Sequence, residues 1–191
     1  MQPKPTILAF DTSAAHCAAA LLSGDSIITR VDEMAKGQAE HLMPMLEAML
    51  TAADLTWAEL DGIGVGVGPG NFTGIRISLG AARGLALGLG KPAIGVNGFD
   101  ARAFRELLPY TATIPAPRDQ SYVQVFTAQG ASAPEQTDGP AGAQKTAAEL
   151  IAAIARIAAS RLQTETERPA PLYIRSADAA PPRDPAPTIL P

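Results

Sequence analysis

The sequence predicts an α/β fold divided into two unequal lobes, and three observations carry that prediction. Apolar segments that alternate with period two take turns with segments of helical period, the order in which packed sheet and helix layers are built. The first apolar run, Ile7 to Phe10, ends in the polar triplet Asp11-Thr12-Ser13, as a buried strand feeding a loop does. Proline is unevenly placed, with five in residues 1–108 and 12 in residues 109–191. Each proline removes a backbone donor, so this shift places the lobe junction near Leu108 to Tyr110. The expected division is therefore 1–108 for the first lobe and 109–191 for a smaller second lobe with a Pro-rich tail from Ala179.

After the first strand, Cys17 to Leu22 and Ile27 to Val31 flank the turn formers Ser23-Gly24-Asp25-Ser26 and read as a hairpin. From Gln38 to Ala53, Leu42, Met45, Leu46, Met49, Leu50 and Ala53 follow the spacing of an amphipathic helix, with Pro44 suited to its first turn or a kink. Asp61 to Gly68 reads as a strand with Gly62, Gly64 and Gly66 on one face, which is expected where another backbone comes close. A second helix runs from about Thr73 to Leu89, and a strand follows at Ala93 to Val96. Asn97 then caps a third helix carrying Phe104, Leu107 and Leu108. In the second lobe, Ser121 to Ala128 reads as a strand that Ala112 to Ile114 can pair with. Thr146 to Glu149 is a capping box opening a helix whose Leu150, Ile154 and Ile157 share a face.

Composition narrows the function. The 191 residues carry 15 Lys and Arg against 19 Asp and Glu, a net charge of −4, which gives no electrostatic footprint for binding a phosphate backbone unaided. One cysteine, Cys17, offers no intramolecular disulfide, so the cytosol is the expected location. No targeting or membrane-spanning segment is expected, since Asp11 interrupts the first apolar run and Arg76, Arg83 and Lys91 interrupt the longest one. His16 and His41 are the only imidazoles. A zinc site on the helix of His41 would want a second ligand one turn on, and Met45 stands there. A nucleophilic triad lacks its elbow, because Ser78 is not in a Gly-x-Ser-x-Gly context.

Two features remain for binding. The segment Gly68-Pro69-Gly70-Asn71-Phe72-Thr73-Gly74 joins a strand to a helix, so its amides could cradle an anion. It lacks the Lys-Ser/Thr of a Walker loop, and a tight turn for close packing is the alternative. Asp11, Thr12 and Ser13 stand where α/β proteins often hold phosphate and magnesium, with a local Asx turn as the alternative. The second feature is a stripe. Gly80, Gly84 and Gly88 recur every four residues in the second helix, although each glycine costs about 1 kcal/mol relative to alanine there. A compensating close contact is expected, with the Met-rich helix of the same chain or with another subunit.

The first strand through Asp11-Thr12-Ser13, the helix around His41-Leu42-Met43-Pro44, and Gly68 to Arg76 followed by Gly84-Leu85-Ala86-Leu87-Gly88 together resemble the bacterial TsaB (YeaZ) family. Pro171-Leu172-Tyr173-Ile174-Arg175 is similar to that family's near-terminal segment. Asn71 stands where Ser is common in the family, and Ser78 where Gly is common. The resemblance implies the actin-like, heat-shock-type ATPase superfamily fold, with two lobes of ribonuclease-H-like topology and here a reduced second lobe. It further implies a non-catalytic subunit that supports a TsaD-type enzyme in transferring threonylcarbamoyl to an adenosine of tRNA, with a TsaE-type ATPase completing the assembly. The metal pair of the catalytic relative is broken here at Met45. On this reading no catalytic or metal residue and no cofactor is expected, tRNA is met mainly through the complex, and the chain alone forms a homodimer. The contact surface is expected at His41, Met45, Met49, Arg76, Gly80, Arg83, Gly84 and Gly88. Asp11, Thr12, Ser13, Gly68, Gly70 and Thr73 would form a vestigial site with weak nucleotide or magnesium binding. The alternative reading is a stand-alone actin-like ATPase or small-molecule kinase using that same loop.

Overall fold

The computed structural model describes residues 4–164 and 167–174. Its first sheet is five-stranded, in the order β3-β2-β1-β4-β5. Strands β1 (Thr6–Asp11), β2 (His16–Ser23) and β3 (Ser26–Glu33) form an antiparallel meander. Strands β4 (Gly62–Gly66) and β5 (Ala93–Val96) add in parallel to β1. Helices α1 (Gln38–Ala52) and α2 (Phe72–Leu89) supply the connections, as parallel strands require. Period-two alternation sorts the side chains between two layers. Leu8, Phe10, Leu21, Ile63 and Val65 meet Leu42, Leu46, Leu50, Ile75 and Leu79 of α1 and α2. Cys17 is buried in this layer, where desolvation and then the charges of Asp32 and Asp11 push its thiol up to about 11.

The opposite face of the sheet is built from small residues. Ala9, Ala18 and Ala20 join Gly62 and Gly64 there, and helix α4 (Ala147–Arg161) lies on them with Ile151, Ile154, Ala155 and Ala158. A Cβ on Gly64 would stand 3.0 Å from the Cβ of Ala158 and from that of Ala9. The glycine face of β4 is thus what lets α4 settle on the sheet, the close approach expected of it. Helix α4 opens with the expected capping box, Thr146 accepting from the Glu149 amide while the Glu149 carboxylate accepts from the Thr146 amide. Although it falls in the segment read as the second lobe, it packs on the first sheet.

Two local expectations need correction. Helix α3 (Gly98–Ala103) is capped by Asn97 as expected but stops before Phe104, because Arg105 turns the chain out with φ +62°. Leu107 and Leu108 therefore lie outside it and are exposed. Pro44 sits beyond the first turn of α1, on the solvent side, where the exposed Glu40 carbonyl that loses its N–H partner faces water.

The second sheet pairs β6 (Tyr110–Ala116) with β7 (Gln120–Thr127), flanked by the short β8 (Gly130–Ala131) and β9 (Glu135–Asp138). Its core is small: Ala112, Ile114 and Tyr122 against Phe99 of α3. Residues 167–174 then cross back to the first sheet. Arg83 donates from Nε and Nη2 to the Pro169 carbonyl at 3.0 and 2.6 Å, and the Leu172 amide donates to the Val67 carbonyl at 2.8 Å. Leu172 packs on both the α1/α2 layer and the second-sheet core. Arg175 and the tail from Ala179 lie outside the described residues.

Candidate functional site: an open helix face and an inter-sheet cleft

Helix α2 presents two unlike faces. Ile75, Ser78, Leu79 and Ala82 are buried against the sheet, while Gly80, Gly84 and Gly88 are exposed. A Cβ added to any of these three glycines would meet no atom within 4 Å. Helix α1 of the same chain therefore flanks α2, as one of its two expected partners, but does not cover the stripe itself. What lies there is a groove of about 460 Å³ lined by Met43, Ala81, Gly84, Leu85, Gly88 and Leu89. Leu87, beside it, is 81% exposed. Phe72 and Arg76 are also exposed at the start of α2, but each four-residue step drifts by about 40°, so they lie well round the helix from Gly88. The Arg76 guanidinium lies 3.8 Å from the Phe72 ring centroid, and its Nε–H donates to the Tyr173 hydroxyl at 3.4 Å.

Three expected surface residues are placed otherwise. Met45 and Met49 are core residues, packed with Leu42 and Leu46 beneath α1, because they share the sheet-facing side of that helix. Met43, two residues before Met45 and so on another side, is the methionine that reaches the groove. Arg83 is engaged within the chain by the Pro169 carbonyl. His41 is half-buried and hydrogen-bonds Asp32 through Nε2 at 2.7 Å. Arg30 pairs with the same carboxylate at 2.8 Å, and these bonds hold Asp32 below the usual carboxylate range. Among the described residues, no group of three or more His, Cys, Asp or Glu side chains could hold a metal ion.

Between the two sheets lies a cleft of about 680 Å³. Of the six residues assigned to a vestigial nucleotide site, Asp11, Ser13, Gly68 and Gly70 line it. Thr12 and Thr73 do not. Thr12 is fully buried and donates its hydroxyl to the Gly74 carbonyl at 2.6 Å, while Thr73 is exposed in a separate pocket beside α1. The glycine loop packs as a tight turn. Its Asn71 amide donates to the Ser13 carbonyl at 2.7 Å, and the Gly74 amide to Asn71 Oδ1 at 2.9 Å. A Cβ on Gly70 would stand 2.6 Å from the Ser13 carbonyl oxygen. Ser13 in turn gives its amide and hydroxyl to Asp11, at 3.1 and 2.8 Å, the Asx-turn alternative. The Asn71, Gly74 and Ser13 amides are therefore engaged within the chain, and the Asp11 carboxylate, with His16 Nε2 4.0 Å away, stands beside the loop where a bare phosphate would be repelled. His16, Arg102, Tyr122, Gln144 and Lys145 also line the cleft. Sequence spacing gives no sign of them, since they meet only through the pairing of β1 with β2 and the packing of α3 and α4.

A five-stranded mixed sheet with helices on both faces and a cleft toward a second sheet defines a chain of the actin-like ATPase superfamily fold. The family described as "TsaD: tRNA N6-adenosine threonylcarbamoyltransferase" matches residues 32–179, well over half of the chain. The chain belongs to this family, on its TsaB (YeaZ) branch. It is 35% identical over 91 residues to the tRNA threonylcarbamoyladenosine biosynthesis protein TsaB of Escherichia coli, covering 48% of this chain and 39% of that one. It is 37% identical over 100 residues to the TsaB of Haemophilus influenzae, covering 51% and 42%. The match thus spans about two-fifths of the length of these curated relatives. Among solved structures, YeaZ from Pseudomonas aeruginosa superposes with a TM-score of 0.69 at 27% identity, over 88% of this chain and 99% of that one. No helix among the described residues is long and apolar enough to cross a membrane.

Proposed function

We propose that this chain is a non-catalytic scaffold and activating subunit in the biosynthesis of threonylcarbamoyladenosine in tRNA. It pairs through the open face of α2 with a TsaD-type catalytic subunit and works with a TsaE-type ATPase in the cytosol. Alone, it uses the same face to form a homodimer. The single observation that carries this reading is the glycine stripe, which lies over empty space within the chain although it weakens its helix. Such a stripe lets a second helix approach backbone to backbone, and Met43, Leu85, Leu87 and Leu89 supply apolar area around it. The names of the TsaB relatives and the match to the TsaD family support the pathway. An acidic net charge supports leaving most of the tRNA contact to the partner.

The test is co-purification with the TsaD-type subunit of the same organism, followed by reconstitution of the modification with and without this chain. A stoichiometric complex and a reaction that depends on this chain are expected. Two folded proteins that do not associate would overturn the reading.

A further inference from the structure

The cleft offers a ligand something other than a phosphate cradle. Much of its wall is apolar, from Val96, Ile114, Pro115, Tyr122, Leu150 and Ile154. Of its cations, Lys145 is already matched by Glu106 at 2.6 Å. Arg102 is not. Its Nε–H donates to Gln144 Oε1 at 3.1 Å and its Nη1 to the Gly98 carbonyl at 3.0 Å, both neutral acceptors. Among the described residues no carboxylate stands within ion-pair distance of this half-buried guanidinium, and no acceptor engages Nη2. Burial disfavours its charged form and holds its pKa below the ordinary value, against the pull of the Asp11 carboxylate. An unmatched, partly desolvated cation lining a cavity gains most from an anionic ligand.

The charge balance selects the anion. A phosphate dianion and a monocarboxylate would each face the Asp11 carboxylate across the cleft, but one guanidinium balances a single negative charge and leaves the second charge of a phosphate dianion uncompensated. A monocarboxylate needs only the guanidinium, matches its planar donors, and leaves its hydrocarbon to the apolar wall. A cavity of this size belongs to the range that encloses a ligand with a sizeable apolar body. We infer that the cleft is a binding site for an apolar monocarboxylate, its carboxylate held by Arg102 and its hydrocarbon body set against Ile114, Leu150 and Ile154.

The test is a titration of the isotopically labelled chain with hydrocinnamate, followed by amide chemical shifts. Saturable shifts are expected at Gly98, Arg102 and Leu150. Gln144→Glu, which would give the guanidinium an internal carboxylate, and Arg102→Gln should each weaken binding about tenfold or more. Gln144 is exposed, so that variant reads the effect even where Arg102→Gln fails to fold. Inorganic phosphate and magnesium-ATP at the same concentration should leave these amides unmoved. Absence of saturable shifts, equal affinity in Gln144→Glu, or phosphate or nucleotide occupying the cleft as tightly would overturn the inference. Binding is read on the isolated chain, so the outcome does not depend on partner assembly.

Discussion

Thr12 and Gly74 lock the first loop of the sheet to the start of α2. The Thr12 hydroxyl donates to the Gly74 carbonyl at 2.6 Å, and a Cβ on Gly74 would stand 1.9 Å from the Thr12 carbonyl oxygen. That oxygen is backbone and cannot swing aside. The glycines of α2 therefore divide into one fixed by the chain's own packing and three that the chain leaves uncovered.

Alanine substitution separates the two kinds. Gly74→Ala should destabilise the fold by about 1–3 kcal/mol, the usual range for overpacking. Gly80→Ala, pointing into open space, should stabilise it by up to about 1 kcal/mol through helix propensity. Urea unfolding checks both. Equal effects of the same sign would mean that the stripe is packed within the monomer.

Arg83 ties residues 167–174 to α2. Arg83→Ala removes two charge-assisted hydrogen bonds to the Pro169 carbonyl, a loss of about 1.5–3 kcal/mol. Hydrogen exchange at the Leu172 amide, which donates to Val67, should accelerate in the variant. Exchange as slow as in the parent would mean that Leu172 is held by its packing alone.

Asp32 links β3 to α1 through Arg30 and His41, and these bonds depress its pKa. A depressed carboxylate stabilises the fold fully above its unfolded value, near 3.8, and the contribution fades as pH falls through the lower folded value. Asp32→Asn should therefore cost about 0.5 kcal/mol near neutral pH, as partly exposed ion pairs do, and nothing once the wild-type carboxyl is protonated. Thermal melts across that acid range give the comparison. A penalty that persists in acid would point to lost packing instead.

The first sheet and its helices were legible because their residues repeat with clean periods: Ile63 and Val65 against the glycines of β4, or Leu42, Leu46 and Leu50 along α1. Legibility failed where two faces compete. Met43, Met45 and Met49 all look apolar, and only the sheet's position decides that Met43 is the one left outside. Strands β8 and β9 are too short and polar to show a period. The glycine loop and Asp11-Thr12-Ser13 were visible as a unit. That their donors satisfy one another became evident only with β1 and α2 in place. Arg102 had no local signature, since its environment is assembled from α3, the second sheet and the loop before α4.

The most direct test of the open helix face is Gly84→Leu, a substitution into space that holds no atom of the chain within 4 Å of the new Cβ. Association would be measured by light scattering, for the chain alone and with the TsaD-type subunit, alongside a melt of the monomer. The prediction is a monomer that melts no lower than wild type and an affinity weakened about tenfold or more in both assemblies. Unchanged assembly with an intact monomer would contradict the placement of the contact surface on this stripe.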